Sequence, residues 1–150
     1  MVTVDGRPMR AKSASIRHTF VTDGWDDVAM LNLEMTCSRG CALLMASGSI
    51  VTADDVDTLA AALSFVPVDD DLVVDLSGVD HLAGSAARLL RPRLVERAMW
   101  AEAVVVSAQH SVTMQLVLAD VDRAVPVVPS VEVAVAIIRV RAHRCASEVA

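Results

Sequence analysis

The chain has few aromatic residues, no surplus of positive charge and no long apolar run. Its 150 residues include two Trp, two Phe and no Tyr, so it lacks the side chains that base-stacking platforms need. A formal net charge of −6 argues against a nucleic-acid binder held by phosphate contacts, because such a protein needs a basic surplus. The least polar stretch, residues 124–138, contains two Pro, a Ser and a Glu and is shorter than a membrane span.

Recognisable targeting and metal-binding patterns are also missing. The N-terminal residues include four basic side chains but no apolar core of a secretion signal, so we expect a cytoplasmic protein without membrane association. Three cysteines, Cys37, Cys41 and Cys145, do not form an even disulfide framework. Cys37 and Cys41 flank a predicted hairpin loop and are a candidate redox pair, with unpaired thiols as the alternative. No second Cys or His pair has the spacing of a zinc site, and we expect no metal and no cofactor.

The residues that are abundant favour an α/β protein of one domain. Hydrophobic residues make up 54% of the chain, and most of them are Val (26) and Ala (23). Val favours strands and Ala favours helices, and 150 residues suffice for one well-packed core. The charge is uneven, because residues 1–75 hold 5 basic and 12 acidic side chains whereas residues 76–150 hold 8 and 7.

Hydrophobic periodicity predicts the element order β-β-α-β-α-β-α-β-α. Residues 1–27 lack periodicity and are interpreted as an N-terminal extension, partly disordered. The folded domain is predicted to cover residues 28–141, followed by a C-terminal tail at 142–150. Strands are predicted at 29–36 and 41–46, with a loop at Ser47–Ser49. Thr52 and Asp55 have the spacing of a capping box at the first helix.

Three segments of the sequence resemble the STAS domain of bacterial anti-sigma factor antagonists. They are Leu43–Ile50, Leu72–Ala86 and Val127–Ala134, and the central segment, which contains Asp-Leu-Ser-Gly-Val, is the most specific. The resemblance covers about residues 29–140. It implies an α/β, STAS-like fold with a mainly parallel four- to five-stranded sheet, an N-terminal β-hairpin and about four helices.

The sequence departs from this family at the phosphorylation site. Antagonists of the family usually read Asp-Ser-Ser/Thr-Gly at the start of the second helix, and the first Ser accepts phosphate. Here the same positions read Ala83-Gly84-Ser85-Ala86. The position of the usual acceptor serine is therefore occupied by Gly84, which has no hydroxyl group. Ser85 is the remaining phosphoacceptor candidate; the alternative is an ordinary residue in the first turn of a helix.

The resemblance implies a non-enzymatic protein-interaction module of the partner-switching type, which binds an anti-sigma factor with serine-kinase-like character. The implied partner-binding residues are Ser49, Asp80, His81, Gly84, Ser85 and Arg88. We expect no catalytic residues, because Asp80, His81 and Ser85 lack a nucleophile elbow. Two other functions stay open: a scaffold in a signalling assembly, with the fold self-associating as a homodimer, and a domain that senses a nucleotide or lipid.

Overall fold

The architecture is one mixed β-sheet with helices on both faces. The structure, a computed structural model, describes residues 20–21, 31–38 and 40–149. The elements are β1 (Phe20–Val21), β2 (Asn32–Ser38), β3 (Cys41–Ile50), α1 (Ala53–Leu63), β4 (Asp71–Leu82), α2 (Gly84–Ala98), β5 (Ala103–Val106), α3 (His110–Leu118), α4 (Val121–Ala124), β6 (Val127–Val128) and α5 (Val131–Val149).

The strands lie in the sheet in the order in which they occur in the chain. β1, β2 and β3 pair antiparallel, whereas β3 to β6 pair parallel. This arrangement follows from the connections: a short turn joins β2 to β3, one helix joins β3 to β4 and another joins β4 to β5, and α3 with α4 joins β5 to β6. β6 has only two residues and follows Pro126, which cannot donate a ladder hydrogen bond.

The two faces of the sheet carry separate apolar clusters. α1 to α4 cover one face and enclose the larger cluster, in which Leu33, Leu44, Leu59, Leu76 and Leu90 are fully buried. α5 covers part of the other face through Ala134 and Ile138, which pack on valines of β4, β5 and β6. The centre of β4 therefore lies between helices on both sides, which explains its continuous apolar run.

The predicted fold class is confirmed, with one more strand and one more helix than expected. The added strand is β1, and the added helix is the single turn α4. The remainder of the predicted extension, 1–19 and 22–27, lies outside the described residues. At the other end, α5 continues past Arg141 to Val149, into the segment predicted as a tail.

The prediction of a loop at Ser47–Ser49 is wrong, because β3 continues to Ile50. Irregularities in its pairing with β4 occur between Met45 and Ser47 and between Gly48 and Ser49. Gly48 adopts a φ of 97°, a conformation that glycine tolerates and that supports a bulge within the strand.

Candidate functional site

The residues singled out from the sequence lie where β3 and β4 end and α2 begins. Ser49 is paired with His81 and Ile50 with Leu82 across the two parallel strands. The backbone N–H of Ala83 donates to the carbonyl of Ile50 at 2.9 Å. The start of α2 is therefore held by the end of β3, which places these residues on rigid elements.

A reciprocal cap fixes the adjacent start of α1. The N–H of Asp55 donates to Oγ1 of Thr52 at 3.2 Å. Oδ2 of Asp55 accepts from the N–H of Thr52 at 3.0 Å and from that of Val51 at 2.9 Å. The predicted capping box is confirmed, and Asp55 is buried. These bonds fix the path of the chain from β3 into α1, next to the start of α2.

The exposed part of this region forms a small polar surface, which we call the α2 N-terminal surface: Asp80, His81, Ser85 and Arg88. All four residues are exposed, whereas Ser49 beside them is buried. Ser49, which the resemblance placed among the partner-binding residues, is thus not part of this exposed surface.

The start of α2 has no side-chain cap. Its N-cap residue is Ala83, and the first turn contains no acidic side chain. Free N–H groups at a helix start favour negative charge. Ser85 lies in this first turn, and Arg88 follows one turn later. The region is therefore electrostatically suited to a negatively charged group of a partner.

Gly84 lies directly against a side chain that the sequence did not single out. A Cβ atom at position 84 would lie 2.9 Å from Oε1 of Gln115 on α3 and 3.9 Å from Nη2 of Arg88. The Gln115 amide thus occupies the space that a side chain at position 84 would enter. Periodicity places Gln115 on a helix, but contact between α2 and α3 depends on the tertiary fold.

The structure does not bring Cys37 and Cys41 together as a redox pair. Ser38 is opposite Cys41, and Cys37 is opposite Ala42. Cys37 packs against the cluster under α1 to α4, whereas Cys41 packs against the cluster under α5. The thiols therefore lie on opposite faces of the sheet, and a disulfide between them would require the hairpin to rearrange. Burial, followed by nearby acidic groups, raises the pKa of both thiols, which lowers their reactivity.

The arginines of α2 have different environments. Arg88, Arg91 and Arg93 are exposed, but Arg97 is buried. Its guanidinium donates to the carbonyls of Val66 at 2.9 Å and Pro67 at 2.8 Å. Burial lowers the pKa of Arg97, with nearby acidic groups, Asp70 first, acting in the opposite direction. Arg97 therefore fastens the end of α2 to the connection between α1 and β4.

Within the described ranges, no three His, Cys, Asp or Glu side chains form a group that could hold a metal ion. In the same part of the chain, no helix combines the length and apolar character needed to cross a membrane.

Comparison with known proteins identifies the fold through solved structures. No protein-family model and no curated protein matches the sequence. An anti-sigma factor antagonist from Mycobacterium paratuberculosis matches with a TM-score of 0.60 at 19% identity, covering 85% of this chain and 98% of that one. A putative anti-sigma factor antagonist from Thermotoga maritima also matches with a TM-score of 0.60, at 14% identity, covering 71% of this chain and 94% of that one. The chain therefore has the STAS-like fold found in anti-sigma factor antagonists.

Proposed function

We propose that the protein is a non-enzymatic interaction module that binds an anti-sigma factor through the α2 N-terminal surface. The observation that carries the proposal is the rigid attachment of an uncapped α2 to the end of β3, with Ser85 and Arg88 exposed. Two solved structures, of an anti-sigma factor antagonist and of a protein described as a putative one, share the fold. Fold alone does not determine function, so the proposal depends on the chemistry of this surface.

Along α2, the charged residue Arg88 is followed by an exposed apolar side chain. Arg88 is exposed and has the charge to meet an acidic partner side chain. The next residue, Leu89, is 46% exposed and lines a groove between α1 and α2. Arginine is enriched in protein interfaces, which combine an apolar centre with a polar rim. The surface thus fits a protein partner.

Regulation at this surface differs from phosphorylation of the usual acceptor. Gly84 has no hydroxyl, and Gln115 lies against it. We propose that binding is constitutive unless Ser85 is phosphorylated. A phosphate on Ser85 would add two negative charges at about neutral pH, together with bulk, to the partner-binding surface.

The proposal is tested by measuring binding of the full chain to each anti-sigma factor of the serine-kinase type from the same cell. We expect Arg88→Glu to weaken binding to the cognate partner by about tenfold or more. Arg139→Glu is the matched control, because Arg139 is exposed on α5, across the sheet from α2. Binding to none of these proteins, or equal affinities for the two variants, would contradict the proposal.

Phosphorylation is tested separately. Each kinase is incubated with the full chain and ATP, and modified residues are mapped by mass spectrometry. Phosphate on Ser85 that disappears in Ser85→Ala supports regulation at that residue. Phosphate on other residues alone contradicts regulation at Ser85. The complete absence of phosphate supports constitutive binding.

A further inference from the structure

The face of the sheet that carries α5 has an open groove beside that helix. The groove has a volume of about 490 Å³. Its lining comes from β2, β3 and β4: Asn32, Glu34, Met45, Ala46, Ser47, Asp75, Ser77 and Gly78. The cluster under α5 is formed by valines of β4 to β6. α5 thus leaves the β2 end of this face accessible.

The strand register arranges the groove as a row across the sheet. Glu34 is opposite Met45, which is opposite Asp75. The row continues to Val106 and Val128, which pack under α5. Glu34 and Asp75 are two strand spacings apart, roughly 10 Å. Two carboxylates therefore flank a half-buried methionine at the open end of the row.

The described residues that line the groove include two acidic side chains and no basic one. Asp75 is 8% exposed, and its Oδ1 accepts from the N–H of Ser77 at 2.9 Å and from its hydroxyl. Its Oδ2 accepts no hydrogen bond from the described residues. Glu34 is half-buried and has no ion-pair partner in the described part of the chain. A guanidinium or ammonium group would complement these two carboxylates.

The chain itself contains a segment of the opposite charge, which precedes β1 in the sequence. Residues 1–19 include four basic side chains and one acidic side chain, which gives +3, whereas residues 20–150 include nine and 18, which gives −9. Phe20 is opposite Leu33 in an antiparallel pair, so the chain enters β1 from the side of Glu34. Nineteen residues can span up to about 60 Å, which is ample for reaching Asp75.

We propose that the basic segment 1–19 binds in this groove of the same molecule, with its Arg and Lys side chains on Glu34 and Asp75. The segment would cover the part of the sheet that α5 leaves open. This inference is independent of the proposed function, because the groove and the α2 N-terminal surface consist of different residues.

Limited trypsin digestion of the full chain tests the proposal. Trypsin cleaves after Arg10, Lys12 and Arg17, and mass spectrometry follows each cleavage; Arg7 precedes Pro8 and is resistant. We expect Glu34→Gln with Asp75→Asn to accelerate these cleavages about fivefold, which corresponds to about 1 kcal/mol of lost contact. High salt should accelerate cleavage of the native chain by screening the same contact. The effect of salt on trypsin itself is measured with a synthetic peptide of residues 1–19.

Matched variants distinguish the loss of binding in the groove from the effects of a changed net charge or of a destabilised fold. Asp122→Asn with Glu132→Gln removes two charges from exposed positions outside the groove, and its cleavage rates should equal those of the native chain. Glu34→Gln alone leaves the bonds between Asp75 and Ser77 intact and should give a smaller acceleration in a folded protein.

Three results would overturn the inference. The first is equal cleavage rates in the native chain and both groove variants. The second is equal acceleration by the control pair. The third is protection that increases with protein concentration, because this would assign the contact to a second copy of the chain.

Discussion

Replacing Arg97 tests whether a buried cation holds the C-terminal half of α2 in place. Its guanidinium donates to the carbonyls of Val66 and Pro67, about 30 residues earlier in the chain. The side chain is only 9% exposed. Arg97→Met removes the charge and both donors but keeps an apolar stem of similar length. The variant therefore isolates the hydrogen bonds from the packing of the stem.

The structure sets the size of the expected loss. A hydrogen bond from a charged donor contributes about 1.5–3 kcal/mol, and an unsatisfied buried carbonyl adds a desolvation cost. Part of the lost stability is recovered because Arg97→Met no longer buries a charge. We expect the free energy of unfolding to fall by about 2–4 kcal/mol. For a chain of this length, the melting temperature would decrease by about 5–15 °C.

Thermal and urea denaturation followed by circular dichroism would measure this loss. Arg91→Met is the control, because Arg91 is exposed on the same helix and donates one bond, at 3.3 Å, to the carbonyl of Asp120. Its effect should stay within about 0.5 kcal/mol. The reasoning is refuted if Arg97→Met melts within about 2 °C of the native protein, or no lower than the control.

Three further predictions concern Gly84, Asp70 and the two hairpin cysteines. Gly84→Ser should change the free energy of unfolding by less than about 1 kcal/mol in urea titrations, because the flexible amide of Gln115 can move away. A loss above about 3 kcal/mol would show that the Gln115 side chain cannot make room for the serine. Burial, together with neighbouring acids, raises the pKa of Asp70 above its unfolded value. The native state therefore binds more protons than the unfolded state between the two pKa values, and the stability of the protein falls as the pH rises through that interval. Asp70→Asn should raise the melting temperature at pH 7 but not below the unfolded pKa of about 3.9, and an equal rise at both pH values would contradict this. Oxidation of the folded chain by diamide should give no Cys37–Cys41 disulfide in peptide maps, whereas the urea-unfolded chain should form one.

The order of elements could be predicted from local pattern, whereas the lengths of the central strands could not. The alternation of apolar residues and the Thr52–Asp55 spacing are local signals, and both correspond to what the structure contains. The extension of β3 through Ser47 depends on Gly78 of β4, since a Cβ there would lie 3.0 Å from the carbonyl oxygen of Ala46. Such a close approach between strands is a tertiary property.

The resemblance selects Ser85 and Arg88 as candidate residues, and the structure places both at exposed positions in the first turns of α2. The contact between Gly84 and Gln115 depends on how α3 packs against α2, and no local periodicity contains it. For the cysteines, the sequence suggested a contact that the structure does not form. Proximity along a hairpin suggested a pair, but a shift of one residue in register moves a side chain to the other face.

The two-residue length of β6 has a consequence for aggregation. An exposed edge strand can template the addition of another chain through its unpaired N–H and C=O groups. β6 offers two residues after Pro126 at that edge, which is too few for stable strand addition. A partner that adds a strand would find more room at the opposite edge, where residues 34–38 of β2 continue past the two residues of β1.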